Sequence, residues 1–311
     1  MSEEKVVEWL LDGDPSIRWQ VMRDIVRAGK GTIARERQKV ATEGWGAKLL
    51  SYQDASGRWG GQLYNNKWMS TTYTLLLLRQ MGLEAGNHQA HLACKELLEG
   101  GFRANGGISY AKTIDCIDNG VTGMVLSLLA YFGYPDNRIH AIVEYLLSRQ
   151  MPDGRWEAVA GRSDIQTKYT FDGTILILEG LREYEKQYSK QADRAAEAQR
   201  KGREFLLRHK LYRVGHTDEV IDKKMVYFSF PPRWHYDALV ALDYFQDCQT
   251  EKDGRLRDSI DLLRTKRNQN GSWNLQNRHA GKTFFEMEEV GKPSRWNTLR
   301  ALRVLKWWES H

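Results

Sequence analysis

A recurring Gln-to-Trp pattern constrains this 311-residue chain more than any other feature. Gln53-Asp54-Ala55-Ser56-Gly57-Arg58-Trp59 and Gln150-Met151-Pro152-Asp153-Gly154-Arg155-Trp156 share the form QxxxGxW, and Gln269-Asn270-Gly271-Ser272-Trp273 shortens it. Each follows the end of an apolar helical stretch. Asn105-Gly106-Gly107-Ile108 is a degenerate member, so Gly57, Gly106 and Gly154 stand 49 and 48 residues apart. That interval holds two helices and their connections, which is the mark of stacked helix pairs. The residue types suit a packing device. Gly permits a tight turn, Gln reaches helix-end backbone groups, and Trp covers the junction with a large ring.

Apolar residues at three- and four-residue spacing predict helices over 3–11, 15–28, 33–52, 70–81, 87–99, 119–132, 138–150, 172–187, 191–209, 234–247, 256–267 and 295–309. Asp14-Pro15, Pro135-Asp136-Asn137, Gly82, Gly100 and Gly133 punctuate several of them. Leu211 to Arg233, with Pro231-Pro232 and several aromatics, reads as a long connection folded over the body. No Pro/Ser linker divides the chain, so a single domain over residues 1–311 is expected.

The net charge of +6 is interspersed rather than gathered into a basic tail, which argues against a nucleic-acid partner. Cys94, Cys116 and Cys248 are too scattered for a disulfide scaffold and fit a reducing compartment. The start of the sequence is acidic, and the most apolar stretch, Val121 to Tyr134, has 14 residues, too few for a membrane span. A cytoplasmic protein is the expectation. Peripheral membrane contact stays compatible with the sequence, because an exposed apolar lip leaves no such signature.

The chain carries 34 aromatic residues, 11 of them Trp. Trp68, Tyr73, Tyr110, Tyr169, Phe171, Phe230, Trp234, Tyr236 and Trp296 are candidates to line a pocket, since ring faces stabilise positive charge and stack on ligands; the same spacing also fills helical cores. Asp115 and Asp118 precede an apolar helix at a separation that puts both carboxylates on one side of its first turn. As a pair they would raise one pKa and make an acid; as caps they would only start the helix. Asp172, beside Tyr169 and Phe171, has the same two readings, proton donor or N-cap. His235 adjoins Trp234 and Tyr236 and lies near Asp237, a candidate proton-handling pair. Arg300 and Arg303 share a helix face and could meet an anionic head group or serve in salt bridges with nearby Glu286, Glu288 and Glu289. His88, His91 and Cys94 recur every three residues, which swings too far around a helix for an easy three-ligand face. No metal or other cofactor is implied.

At the repeats the sequence resembles the alpha-alpha toroid superfamily of squalene-hopene cyclases, other terpenoid cyclases and protein prenyltransferase beta subunits. Tyr145-Leu146-Leu147 before Gln150, Leu262-Leu263 before Gln269, and Phe205-Leu206-Leu207 resemble the helix-end halves of its QW motifs. Asp14-Pro15-Ser16-Ile17-Arg18-Trp19 and Ser294-Arg295-Trp296-Asn297-Thr298-Leu299-Arg300 resemble a bacterial branch of squalene-cyclase-like or prenyltransferase-like proteins of unclear activity. The resemblance implies an all-α (α/α)6 toroid around a central cavity. It further implies a terpenoid-cyclase-like protein binding a hydrophobic, isoprenoid-type small molecule, with acid-initiated isomerisation or cyclisation. The superfamily's DxDD acid motif is not reproduced: its nearest analogue is Asp115-Cys116-Ile117-Asp118, with Ile117 at the acid's place. Neither the zinc set of protein prenyltransferases nor a DDxxD magnesium motif is present. Two alternatives therefore stay open, a carbohydrate lyase or hydrolase and a non-enzymatic ligand-binding scaffold.

Overall fold

A computed structural model describes residues 3–111, 117–157, 167–215 and 217–310. Among them are thirteen α-helices: α1 (Glu3–Leu11), α2 (Pro15–Val21), α3 (Lys30–Gln38), α4 (Gly44–Leu50), α5 (Thr71–Met81), α6 (His88–Gly101), α7 (Asn119–Tyr131), α8 (Arg138–Ser148), α9 (Thr167–Gln187), α10 (Ala192–Arg208), α11 (Ala238–Asp247), α12 (Arg257–Thr265) and α13 (Arg295–Glu309). Two short strands, β1 (Trp273–Asn274) and β2 (Pro293–Ser294), pair antiparallel.

Burial sorts the helices into two shells. Every residue of α7 from Asn119 to Ala130 is buried, as are nine of the eleven residues of α5, whereas α12 buries only Ser259, Ile260 and Leu263. An all-round apolar helix belongs inside and an amphipathic one outside. The inner helices α2, α5, α7, α9, α11 and α13 form a ring. It closes where α13 meets α2, with Arg303 donating to Gln20 Oε1 at 3.1 Å and Lys306 to the Ile25 carbonyl at 2.6 Å. Between α2 and α5, Trp19 Nε1 donates to the Met81 carbonyl at 2.8 Å.

The Gln-to-Trp repeats act as clips. Trp59, Trp156 and Trp273 are fully buried, and each indole N–H donates to a carbonyl ten residues earlier: Leu49 at 2.7 Å, Leu146 at 2.8 Å and Leu263 at 2.7 Å. Each Trp backbone N–H donates to a threonine hydroxyl in the N-terminal half of the next inner helix, Thr71, Thr174 or Thr298, at 2.9–3.2 Å. Ile108 of the degenerate member keeps that second link, to Thr122 at 3.1 Å. Gln53 and Gln150 tie the turn to the next outer helix through the carbonyls of Gln89 and Ala198. Gly57, Gly106, Gly154 and Gly271 all have φ between 82° and 94°, a conformation that a side chain would strain.

Three predicted boundaries move. The helix expected over 33–52 is broken: Gly44 turns at φ 64°, and Asp14 Oδ2 takes the Trp45 N–H at 2.8 Å, in the space a Cβ on Gly44 would fill. The helix expected over 172–187 begins at Thr167, so Asp172 lies inside α9 and is not its N-cap. The helix expected over 234–247 begins at Ala238, capped by Asp237, whose carboxylate accepts the Val240 N–H at 2.9 Å. Trp234, His235 and Tyr236 consequently stand in the preceding loop.

Candidate active site

The N-terminal ends of α5, α7 and α9 surround a cavity of about 600 Å³. Tyr64, Tyr73, Tyr169 and Trp234 supply its rings, Asp118 and Asp172 its carboxylates, and Val121, Met124 and Leu176 an apolar wall. Tyr169 and Trp234 stack at 6.3 Å with 26° between planes. Tyr73 donates its hydroxyl to that of Tyr64 at 3.0 Å. Burial pushes the Tyr64 phenol up to about 12 and raises that of Tyr73 well above its ordinary value, so both stay neutral donors and acceptors.

The carboxylates reach this cavity because α7 and α9 approach unusually closely. A Cβ on Gly123 would lie 2.7 Å from the Ile177 Cα, and one on Gly180 2.5 Å from the Gly123 carbonyl oxygen. One turn nearer the cavity, a Cβ on Gly120 would lie 3.7 Å from the Gly173 Cα and 3.2 Å from Asp118 Oδ1. Side-chain-free positions on both helices thus bring neighbouring turns together, one carrying Asp118 and the other Asp172.

Asp118 is the N-cap of α7, its Oδ1 accepting the Val121 N–H at 2.9 Å. A capping carboxylate ordinarily ionises more readily, since helix N-terminal N–H groups favour its charge. Here burial wins and raises its pKa above the ordinary value, against the pull of the Val121 and Gly120 N–H groups. Capping and acid readings are therefore not exclusive. Asp172 is buried, with Oδ1 accepting the Tyr236 N–H at 2.7 Å, a bond that ties α9 to the loop before α11. Asp115 and Cys116 lie outside the described residues.

Other sequence candidates fall elsewhere. Phe171 and Tyr236 are core residues, packed on each other at 5.4 Å, with the Tyr236 hydroxyl donating to the Leu211 carbonyl; neither lines the cavity. Tyr110 backs Tyr64 at 6.0 Å and donates to the Leu97 carbonyl, and Trp68 packs edge-on behind Tyr73 at 4.9 Å. His235 is stacked between Trp234 and His279, 3.7 and 3.8 Å away between centroids. Its expected partner Asp237 is committed to Ser229 as well as to the cap of α11. His91 faces the Ala85 and Phe132 carbonyls, and burial pushes the Cys94 thiol up. Glu288 takes the N–H groups of Arg295 and Trp296 at the start of α13, and Glu286 pairs with Arg278 at 2.9 Å.

Phe230 and Trp296 stack at 4.1 Å and border a different space, a well of about 610 Å³ toward the C-terminal ends of the inner helices. Arg300 and Arg303 are there too, both on Asp243, Arg303 through two nitrogens at 2.5 Å. Burial alone would raise the Asp243 pKa, but Arg303 and Arg300 outweigh it and hold it below the ordinary value. The salt-bridge reading of these arginines is the one the geometry supports. Arg79 likewise pairs with Glu179 and Glu183.

The cavity's remaining wall, Tyr64 through Lys67, escaped the sequence reading. Asn66 and Lys67 have φ of 67° and 37°, uncommon for residues with side chains, and such backbone clusters at functional sites. The available signal was the Asn65-Asn66 pair in the turn between Trp59 and α5.

No known family model matches this chain, and no curated protein is similar to it at a significant level. Several solved structures are, and two of them follow. A crystal structure of a protein from Actinoplanes is 16% identical, covering 99% of this chain and 98% of that one, with a TM-score of 0.50. A crystal structure of an unsaturated glucuronyl hydrolase specific for heparin is 13% identical, covering 94% of this chain and 84% of that one, with a TM-score of 0.52. The chain is an α/α toroid. At such identities the likeness concerns the fold, and neither structure is described as a terpenoid cyclase. Among the described residues, no helix of the toroid is long and apolar enough to cross a membrane.

Proposed function

We propose that the toroid is a carbohydrate-processing hydrolase with its centre at Asp118 and Asp172. One observation carries this reading: a buried carboxylate, Asp172, and a half-buried one, Asp118, on adjoining turns of α9 and α7 border a cavity whose wall includes the stacked pair Tyr169 and Trp234. Aromatic faces are platforms for sugar rings, and paired carboxylates are the usual means of breaking a glycosidic bond. The fold shared with a hydrolase specific for heparin supports the assignment.

In this scheme Asp118, whose pKa burial raises, gives its proton to the glycosidic oxygen as the bond to the anomeric carbon breaks. Asp172, oriented by the Tyr236 N–H, accepts the proton of the water that adds to the sugar. The test is release of new reducing ends from a panel of acidic and neutral glycans. Asp118→Asn and Asp172→Asn are expected to abolish it; turnover unchanged in both would remove the assignment.

The apolar wall of Val121, Met124 and Leu176 favours a second reading, in which the cavity holds a hydrophobic, isoprenoid-type substrate and Asp118 starts an isomerisation or cyclisation. Squalene or a polyprenol converted by the wild type and not by Asp118→Asn, with no glycan cleaved, would select it over the first.

A further inference from the structure

Two phenols border the cavity beside Asp118, and only one of them has its hydrogen engaged. Tyr73 is 2% exposed and spends its hydrogen on the Tyr64 oxygen at 3.0 Å, since a buried hydroxyl left unbonded is costly. Tyr64 is half-buried in the cavity wall and accepts that bond. A phenol keeps one hydrogen of its own to donate, and among the described residues that of Tyr64 meets no acceptor. The charge of Asp118 reaches both phenols, yet its carboxylate is bonded at Oδ1 to the Val121 N–H and to neither hydroxyl. Asp118 and the Tyr64 hydroxyl thus border the same space without closing on each other.

The Tyr64 ring is held in place from several sides. It packs on Tyr73 at 5.4 Å and on Tyr110 at 6.0 Å between centroids. The two residues before it are pinned to the start of α5. The Gln62 carbonyl accepts both the N–H and the hydroxyl of Thr71, at 2.9 and 2.8 Å, and the Leu63 carbonyl accepts the same two groups of Thr72 at the same distances. These bonds satisfy N–H groups that a helix start leaves open, and they fix the chain as it enters Tyr64. Just beyond, Asn66 and Lys67 turn the chain back toward α5 through left-handed backbone, which persists where the surroundings or a function require it. A donor fixed before the substrate arrives needs no reordering when it acts.

We propose that Tyr64 is a specificity-determining residue whose hydroxyl donates to the 2-hydroxyl of the sugar carrying the cleaved bond, with Tyr73 as the positioning residue that holds it. This role rests on the hydrolase reading above and names the group that the substrate must carry. Asp118 works on the glycosidic oxygen, so a donor beside it meets the hydroxyl one carbon from the anomeric centre. Bonds to that hydroxyl strengthen as the sugar gains oxocarbenium character. A site built around a hydroxyl also rejects an analogue that lacks it, because the site's own polar group is then left unpaired.

The experiment measures nitrophenol release from nitrophenyl glycosides of glucose, galactose, mannose, xylose and glucuronic acid in both anomers, and then from the 2-deoxy form of the one cleaved fastest. Tyr64→Phe is expected to lower kcat/KM by about 10- to 100-fold on the parent glycoside and by less than about two-fold on its 2-deoxy form, and Tyr73→Phe to repeat the pattern at about three-fold. A purely structural role would lower both substrates alike. Equal losses on the two, or no loss on the parent, in Tyr64→Phe would overturn the contact while leaving the hydrolase reading intact. A Tyr73→Phe enzyme as active as the wild type on both would overturn the positioning role. If only polymeric glycans are cleaved, a loss in kcat of about ten-fold in Tyr64→Phe at an unchanged urea midpoint is expected there, and its absence would overturn the contact. If neither glycosides nor glycans are cleaved, the hydrolase reading fails and the contact with it.

Discussion

The two ends of the ring are built from the same six helices and are chemically opposite. At the N-terminal end, Asp172 is buried and Asp118 half-buried among aromatic and apolar neighbours. At the C-terminal end, Arg79, Arg300 and Arg303 are matched to Glu179, Glu183 and Asp243. Helix dipoles favour this polarity, with acidic caps at helix starts and cations near helix ends. The saturation differs for another reason. A charge network with its partners present stabilises a structure, whereas groups kept apart at a cavity are available to something that enters it. Size alone would not have distinguished these spaces, which are about 600 and about 610 Å³.

The largest expected effect breaks the chemical end alone. Asp118→Asn keeps a capping side chain but removes the acid, and should lower kcat on the cleaved glycan by about 10²–10⁴-fold. Stability by urea unfolding should change by less than about 1 kcal/mol, because Asn caps nearly as well as Asp. A comparable loss of stability would mean that Asp118 is structural only.

Asp243→Ala should do the reverse. It strands Arg300 and Arg303 and should cost about 3–5 kcal/mol in urea unfolding, the usual penalty for leaving a buried charge unpaired. A loss under 1 kcal/mol would show that the well is hydrated enough to tolerate free cations.

The close approach of α7 and α9 is tested by Gly123→Val. Its side chain meets the Ile177 backbone and should destabilise by about 1–3 kcal/mol through overpacking. Because those helices carry Asp118 and Asp172, kcat should fall as well. Full activity would show that the spacing of the two helices does not set the site.

Acid sharpens the contrast through opposite signs. The folded Asp243 pKa is below its ordinary 3.8, so its stabilisation is present above that pH and is lost as pH falls through the lowered value. Asp118 is shifted upward from 3.8, so the folded state binds its proton first, and Asp118 favours folding more as pH falls through its raised value. Asp118→Asn should therefore steepen the loss of stability in acid and Asp243→Asn should flatten it, read from urea midpoints across the acid range. Parallel curves for the two variants would contradict the assignment. The smallest expected effect is that of Tyr73→Phe, which removes the bond to Tyr64 and should cost about 0.5–1.5 kcal/mol.

The ring is legible in the sequence because its clips repeat: Gly57, Gly106 and Gly154 set the period, and the Trp and Ile that accompany them read as packing residues. The threonines that complete each clip were not legible, since Thr71, Thr174 and Thr298 follow their tryptophans at 12, 18 and 25 residues, a spacing with no period. At the site, Asp118, Asp172, Tyr73, Tyr169 and Trp234 were named from their neighbours in sequence and do border one cavity. Phe171 and Tyr236 were named by the same argument and face the core instead, because an aromatic residue beside a helix start gives no sign of which way it turns.

The clips also dictate how such a ring can be assembled. Each tryptophan clip closes a loop of ten residues between its leucine carbonyl and its indole, and the threonine link adds at most 25 more, so most of the circle zips up through short closures whose entropic cost is small. The seam is different: Arg303 reaches Gln20 across 283 positions, and Arg295 reaches the Trp9 carbonyl across 286. That single long closure joins the beginning and end of an already ordered arc, which makes the meeting of α13 with α2 the natural last step of folding.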